Sequence, residues 1–204
     1  MTVKTIYIIR HPKVYNPNKL CYGQSEMPLE ENFTVQFDWI KEQTNPTEAT
    51  AFFSSPLRRC TKLASFLSDE NFAIDNRILD VNFGAWEMKE WAEILPKELE
   101  AWQQDFVNYS VKKGECFTDV YERATAFFEE ILVTHEQNNL VVVTHASIIR
   151  SFVSYVLDFP LENVYNLQLD YSSITKITHN TTTGISSLVF LNLTAEHVKT
   201  NVKD

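Results

Sequence analysis

Two apolar runs, each ending on a histidine, constrain this chain more than any other feature. The first is Ile6-Tyr7-Ile8-Ile9-Arg10-His11 and the second is Leu140-Val141-Val142-Val143-Thr144-His145. Both are β-branched and do not alternate apolar with polar, the pattern of short strands buried on both faces in a parallel sheet. Open α/β sheets bind ligands outside the carboxyl ends of their strands. If the two strands are neighbours, His11 and His145 face each other across that crevice with the Arg10 guanidinium beside them. Such a trio suits a phosphoryl group, one imidazole attacking while cations hold the oxygens.

The surrounding chain reads as α/β. A polar, proline-broken loop covers 12–28, a helix 33–43 and a short strand 51–54. Ser55 then reads as an N-cap with Pro56 at the first helical position. Leu57, Cys60, Ala64 and Leu67 form the stripe of the helix that follows. Residues 77–81 read as a brief strand or an extended segment, and 86–109 as two helices broken near Pro96, carrying three tryptophans. A long amphipathic helix follows, with Val120, Ala124, Phe127, Phe128 and Ile131 on one face. The second histidine strand, a helix over 147–157 and strands 171–178 and 185–193 complete the pattern. The expected architecture is three-layer α/β/α, with a mostly parallel central sheet and a helical cap from about 86 to 109. At 204 residues the chain fits one domain, 1–204, with 195–204 as a frayed tail.

Composition removes several functions. A net charge of −9 argues against nucleic acid or an anionic membrane as partner. No apolar run approaches the roughly 20 residues that span a bilayer. Met1 to Lys4 run directly into the first strand, so the expected location is cytoplasmic. Cys21, Cys60 and Cys116 are odd in number and lack CxxC spacing, which fits buried free thiols better than disulfides or zinc. An anionic substrate must therefore find a local cationic pocket, for which Arg10, Lys13, Arg58 and Arg59 are candidates.

Metal-free cleavage of a phosphomonoester needs an unprotonated nucleophile, cations for the oxygens and a proton for the leaving group. His11 supplies the first. Arg58-Arg59 opens a proline-primed helix, where an arginine adds to an anion site at the helix N-terminus, and one of the two faces solvent. Asp80 and Glu87 bracket Asn82-Phe83-Gly84, and either can be the acid. A metal site is disfavoured because HxH and HExxH spacings are missing and Arg10 repels a cation. Gly23, Gly84 and Gly114 mark backbone that approaches a ligand closely, and Tyr22 with the tryptophans offers an aromatic wall.

In order, Ile8-Ile9-Arg10-His11, Ser54-Ser55-Pro56-Leu57-Arg58-Arg59-Cys60, Leu79 to Glu87, Gly114-Glu115-Cys116 and Val143-Thr144-His145 resemble the histidine phosphatase superfamily. The branch is that of cofactor-dependent phosphoglycerate mutases and related phosphatases. The resemblance implies a phosphoglycerate mutase-like fold and a phosphohistidine on His11. It implies that Arg10 and Arg59 grip the phosphoryl oxygens, that His145 hydrogen-bonds the transferring group and that Asp80 holds the acid's slot. Cys21 to Leu29 and Phe83 to Glu87 look most like α-ribazole phosphatases, which implies α-ribazole 5′-phosphate as substrate, with Tyr22 and Gly23 on the substrate side. No cofactor is implied, and the partner is a small phosphorylated metabolite. Phosphoglycerate mutase-type transfer and a weakly active phosphate-ligand binder are the alternatives. The chain departs from the family at Pro12, Lys13, Val14, Ala146 and Cys116, and carries aspartate where the acid is usually glutamate.

Overall fold

The computed structural model describes residues 2–200. Strands β1 (Val3–Arg10), β2 (Thr50–Ser54), β3 (Ala73–Ile74), β4 (Asn139–Thr144), β5 (Ile174–Asn180) and β6 (Ser186–Leu193) form one sheet in the order β3-β2-β4-β1-β5-β6. β3, β2, β4 and β1 are mutually parallel, and β5 runs antiparallel to both its neighbours. The two histidine strands are adjacent, with Ile6 opposite Leu140 and Arg10 opposite Thr144. Their unalternating apolar character follows from burial on both faces.

Helices cover both faces. On one, α1 (Phe37–Thr44) and α2 (Arg58–Ser68) bury Ile40, Leu63 and Leu67 against Ile9, Phe52, Val141 and Val143. On the other, α4 (Phe117–Thr134) and α5 (Ala146–Leu157) pack Phe127, Phe128, Ile149 and Phe152 against Ile6, Ile8, Leu140 and Val142. The chain leaving β1 thus turns to one face and the chain leaving β4 to the other. The crevice between these strand ends is a topological switch point, where open α/β sheets bind ligands.

Several local expectations need correction. The helix expected over 33–43 begins only at Phe37, after a turn. Ser55 does not cap α2, because the helix starts only at Arg58, after a bend at Pro56 and Leu57, and Leu57 is the N-cap at φ −68° and ψ 137°. The segment 77–81 is not a strand: a 3-10 turn at Asn76–Ile78 follows β3, its start fixed by the Asp75 side chain accepting from Arg77 N–H. The tryptophan-rich 86–109 segment holds one α-helix, α3 (Pro96–Gln104), rather than two. Tight turns at Gly84–Trp86 and Trp91–Glu93 take the rest, with Met88 at φ +65° breaking any helix between them. This segment has its own core of Cys21, Phe83, Trp86, Ile94 and Val111, with Trp91 and Trp102 against it. At the other end, Ala195–Thr200 form a short helix, α6, and Thr194 Oγ1 accepts from His197 N–H at its start. Residues 201–204 lie outside the described residues.

Candidate active site

His11 follows β1 directly and His145 follows β4 directly. Their ring centroids lie 5.1 Å apart, and both side chains are sealed from solvent, at 1% and 0% exposure. Parallel pairing puts them there: two strands in register, each ending one residue before a histidine, must present both rings at one edge. His11 N–H donates to the Thr144 carbonyl at 2.9 Å, tying the two strand ends together.

The hydrogen bonds set the protonation pattern of His11. Its Nδ1 lies 2.8 Å from the Pro12 carbonyl oxygen, which can only accept, so Nδ1 carries the proton and Nε2 keeps a free lone pair. Proline at 12 forfeits a backbone N–H, yet its carbonyl fixes this tautomer. Burial first, then the cost of placing a second proton charge beside His145 and of facing the Arg59 and Arg10 guanidiniums, holds the His11 imidazole well below its usual pKa. Burial and the flanking arginines do the same to His145. Both rings are neutral at neutral pH, the state a nucleophile requires.

Arg59 is fully buried in the first turn of α2. Its Nε donates to His145 Nδ1 at 3.4 Å, its Nη1 to the Ser25 carbonyl at 2.9 Å, and its Nη2 to the Gly23 carbonyl. Arg58 is exposed, as expected of one member of the pair. Arg10 stacks on Tyr171, with the guanidinium carbon 3.8 Å from the ring centroid, and donates to the Leu169 carbonyl. Its buried Nε has no hydrogen-bond partner among the described residues. An orphan guanidinium donor beside two neutral imidazoles fits a phosphoryl oxygen. The anion site expected at the α2 N-terminus is taken, since the Glu26 carboxylate accepts from Arg58 N–H at 3.0 Å. α5 instead starts at His145 without a side-chain cap, turning its positive end toward the imidazoles. Lys13 is exposed and pairs with Glu30 at 2.8 Å.

Asp80 and Glu87 have separate jobs. Asp80 Oδ2 lies 3.6 Å from His145 Nδ1 and 4.0 Å from Arg59 Nη2. Glu87 instead accepts from the backbone N–H groups of Gly23, Gln24, Ser25 and Phe83, at 3.0–3.1 Å. Its carboxylate is spent on folding the 23–25 loop. Gly23 is needed there for space: a Cβ would stand 1.7 Å from the Val81 carbonyl oxygen. Both polar groups of Gly23 are occupied by protein. The Tyr22 hydroxyl meets that of Tyr171 at 3.0 Å, and its ring faces Arg59 at 5.3 Å.

Four contributors escape the sequence reading. Ser55, read as a helix cap, meets His145 Nε2 at 2.7 Å. Ser147 donates to Asp80 Oδ1, and Tyr171, read as a strand residue, carries Arg10. Arg123, on the polar side of α4, donates to the Arg77, Leu79 and Asp80 carbonyls while pairing with Glu115. Only Glu115, inside the Gly114-Glu115-Cys116 motif, hinted at that clamp. All three cysteines are free and buried. Donor atoms of His11, Asp80 and His145 fall within 4.8 Å of one another, a spacing a cation could also use. The adjoining guanidiniums set the field in favour of an anion.

A model of the histidine phosphatase superfamily (branch 1) matches residues 6–192, and the chain belongs to that superfamily. It is a phosphatase of that family, in keeping with the relatives it matches. Phosphoserine phosphatase 1 of Hydrogenobacter thermophilus is 24% identical over 181 residues, 86% of this chain and 86% of that protein. The α-ribazole phosphatase structure from Shigella flexneri superposes with a TM-score of 0.83 at 20% identity, over 93% of this chain and 96% of the other. A mycobacterial glucosyl-3-phosphoglycerate phosphatase structure gives 0.80 at 22% identity, over 94% and 100%. These structural likenesses establish the phosphoglycerate mutase-like α/β fold.

Proposed function

We infer that the chain hydrolyses a small phosphomonoester without a cofactor, through a phosphohistidine on His11. The observation that carries this is the closed cluster of two neutral imidazoles, two arginines and one carboxylate at the sheet's switch point. In the first step the His11 Nε2 lone pair attacks phosphorus in line. The bond from phosphorus to the ester oxygen breaks, and that oxygen takes the proton of the Asp80 carboxyl. In the second step a water oxygen attacks phosphorus, Asp80 accepts the water's proton, and the bond to Nε2 breaks. Arg10, Arg59 and His145 hold the phosphoryl oxygens throughout. Charges fixed in advance in a dry site carry most of the acceleration.

The substrate reading is α-ribazole 5′-phosphate, a nucleoside-like ester. A cavity of about 440 Å³ supports it, because Tyr22 and Tyr171 are shared between that cavity and the arginines, and Tyr15 and Trp91 complete an aromatic wall. Phosphoserine is the competing substrate, favoured by the names of the sequence relatives. The test compares both esters with 4-nitrophenyl phosphate, in wild type and in His11→Ala. Phosphatase activity is expected to vanish in the variant, by about 10³-fold or more. Equal rates would abandon the catalytic reading in favour of a phosphate-ligand binder. If α-ribazole 5′-phosphate ranks below phosphoserine in kcat/KM, the nucleoside-like assignment falls while the chemistry stands.

A further inference from the structure

We propose that Ser147 is a positioning residue that aims the proton-transferring carboxyl of Asp80, an inference that rests on the acid and base role given to Asp80 above. The two oxygens of this carboxyl are not equivalent. Oδ1 accepts from Ser147 Oγ at 2.5 Å and from Val81 N–H at 3.0 Å. Oδ2 lies 3.6 Å from His145 Nδ1 and 4.0 Å from Arg59 Nη2, beside the reacting groups. Ser147 and Val81 therefore tie one oxygen to the protein and turn the other toward phosphorus.

The main chain of Asp80 is already fixed, because its carbonyl accepts from Arg123 Nη2 at 2.9 Å and from Gln24 Nε2 at 3.1 Å. What remains loose is the carboxyl's own rotation, a broad two-fold torsion. The hydroxyl of Ser147 removes that freedom. Ser147 is buried in the first turn of α5, two residues after His145. One rigid helix start thus holds an imidazole and aims the acid, and an aspartate, one methylene shorter than glutamate, is kept in reach. The proton moves on Oδ2: it passes to the leaving oxygen as the ester bond breaks, and a proton from water returns to Oδ2 as the phosphorus–nitrogen bond breaks. Ser147 keeps its own proton throughout.

Leaving-group dependence tests this role, since an alkoxide needs the acid's proton and a 4-nitrophenolate does not. In Ser147→Ala, kcat/KM for an alkyl phosphate is expected to fall about 10- to 100-fold, and that for 4-nitrophenyl phosphate less than about 3-fold. Ser147→Thr, which keeps the hydroxyl, restores most of the alkyl rate. If the alanine variant unfolds, Ser147→Cys, with a weaker donor, must show the same selectivity in milder form. Asp80→Asn is the control and is expected to be selective in the same sense and more severely. An equal fall for both esters, or no fall, in Ser147→Ala overturns the proposal. If Asp80→Asn keeps the selectivity while Ser147→Ala lacks it, only the role of Ser147 fails. If neither is selective, the acid assignment fails with it.

Discussion

Acid should destabilise this protein by an amount that the buried imidazoles set. His11 and His145 are held neutral in the fold by burial and by the adjoining arginines. In the unfolded chain each returns to an ordinary pKa of about 6.5. Between pH 7 and pH 5.5 the unfolded state therefore takes up protons that the folded state refuses, and stability drops as pH falls through the unfolded value. Integrating proton uptake over that window gives about 1.3 kcal/mol per histidine, or about 2.5 kcal/mol for the pair. Urea titrations at the two pH values, in phosphate-free buffer, read this directly. His11→Asn and His145→Asn should each shrink the loss by about 1.3 kcal/mol, and the double variant by about 2.5 kcal/mol. His179, also held below its ordinary value by burial, stays in every variant and cancels from the comparison. Identical pH dependence in wild type and double variant would mean that the two rings titrate in the fold as they do in the unfolded chain, and the claim that burial and the arginines hold them neutral would fail.

Two further substitutions probe the scaffold. Gly23→Ala forces a methyl to within 1.7 Å of the Val81 carbonyl oxygen unless the loop shifts. Chemical denaturation should show a loss of about 1–3 kcal/mol or more, and turnover should fall because the Gly23 carbonyl holds Arg59. Unchanged stability and rate would show the loop to be freely adjustable. Ser55→Ala removes the nearer partner of His145 Nε2 and leaves it only the weaker thiol of Cys60 at 3.5 Å; it should cost about 1 kcal/mol, with kcat reduced and KM little changed. A pure KM effect would place Ser55 outside the catalytic step.

The elements written in long apolar periodicities were legible in the chain itself. Strands β1 and β4 and the face of α4 follow from their apolar runs, whereas the adjacency that brings His11 to His145 stood as a condition that the sheet pairing meets. What was not legible depended on which of several polar groups wins a nearby backbone partner. Ser55-Pro56 carries the chemistry of a helix start, but the helix begins only at Arg58 and the hydroxyl is spent on His145. The α2 N-terminus was claimed by Glu26, 32 residues away in sequence, which no local pattern announces. Glu87 and Asp80 look alike on paper. Four converging N–H groups, visible only in three dimensions, separate the staple from the carboxylate beside the imidazoles. The helical pattern at 86–109 reflected tryptophans that serve a small separate core.

His11 and His145 stand 134 positions apart in the chain, on strands joined through the innermost pairing of the sheet. Loop closure over such a span yields nothing until the long-range contact exists. Turnover is therefore a gauge of completed assembly. A chain whose helices have formed but whose first strand has yet to insert would be silent toward phosphate esters, so recovery of activity after dilution from denaturant should track strand insertion rather than helix formation.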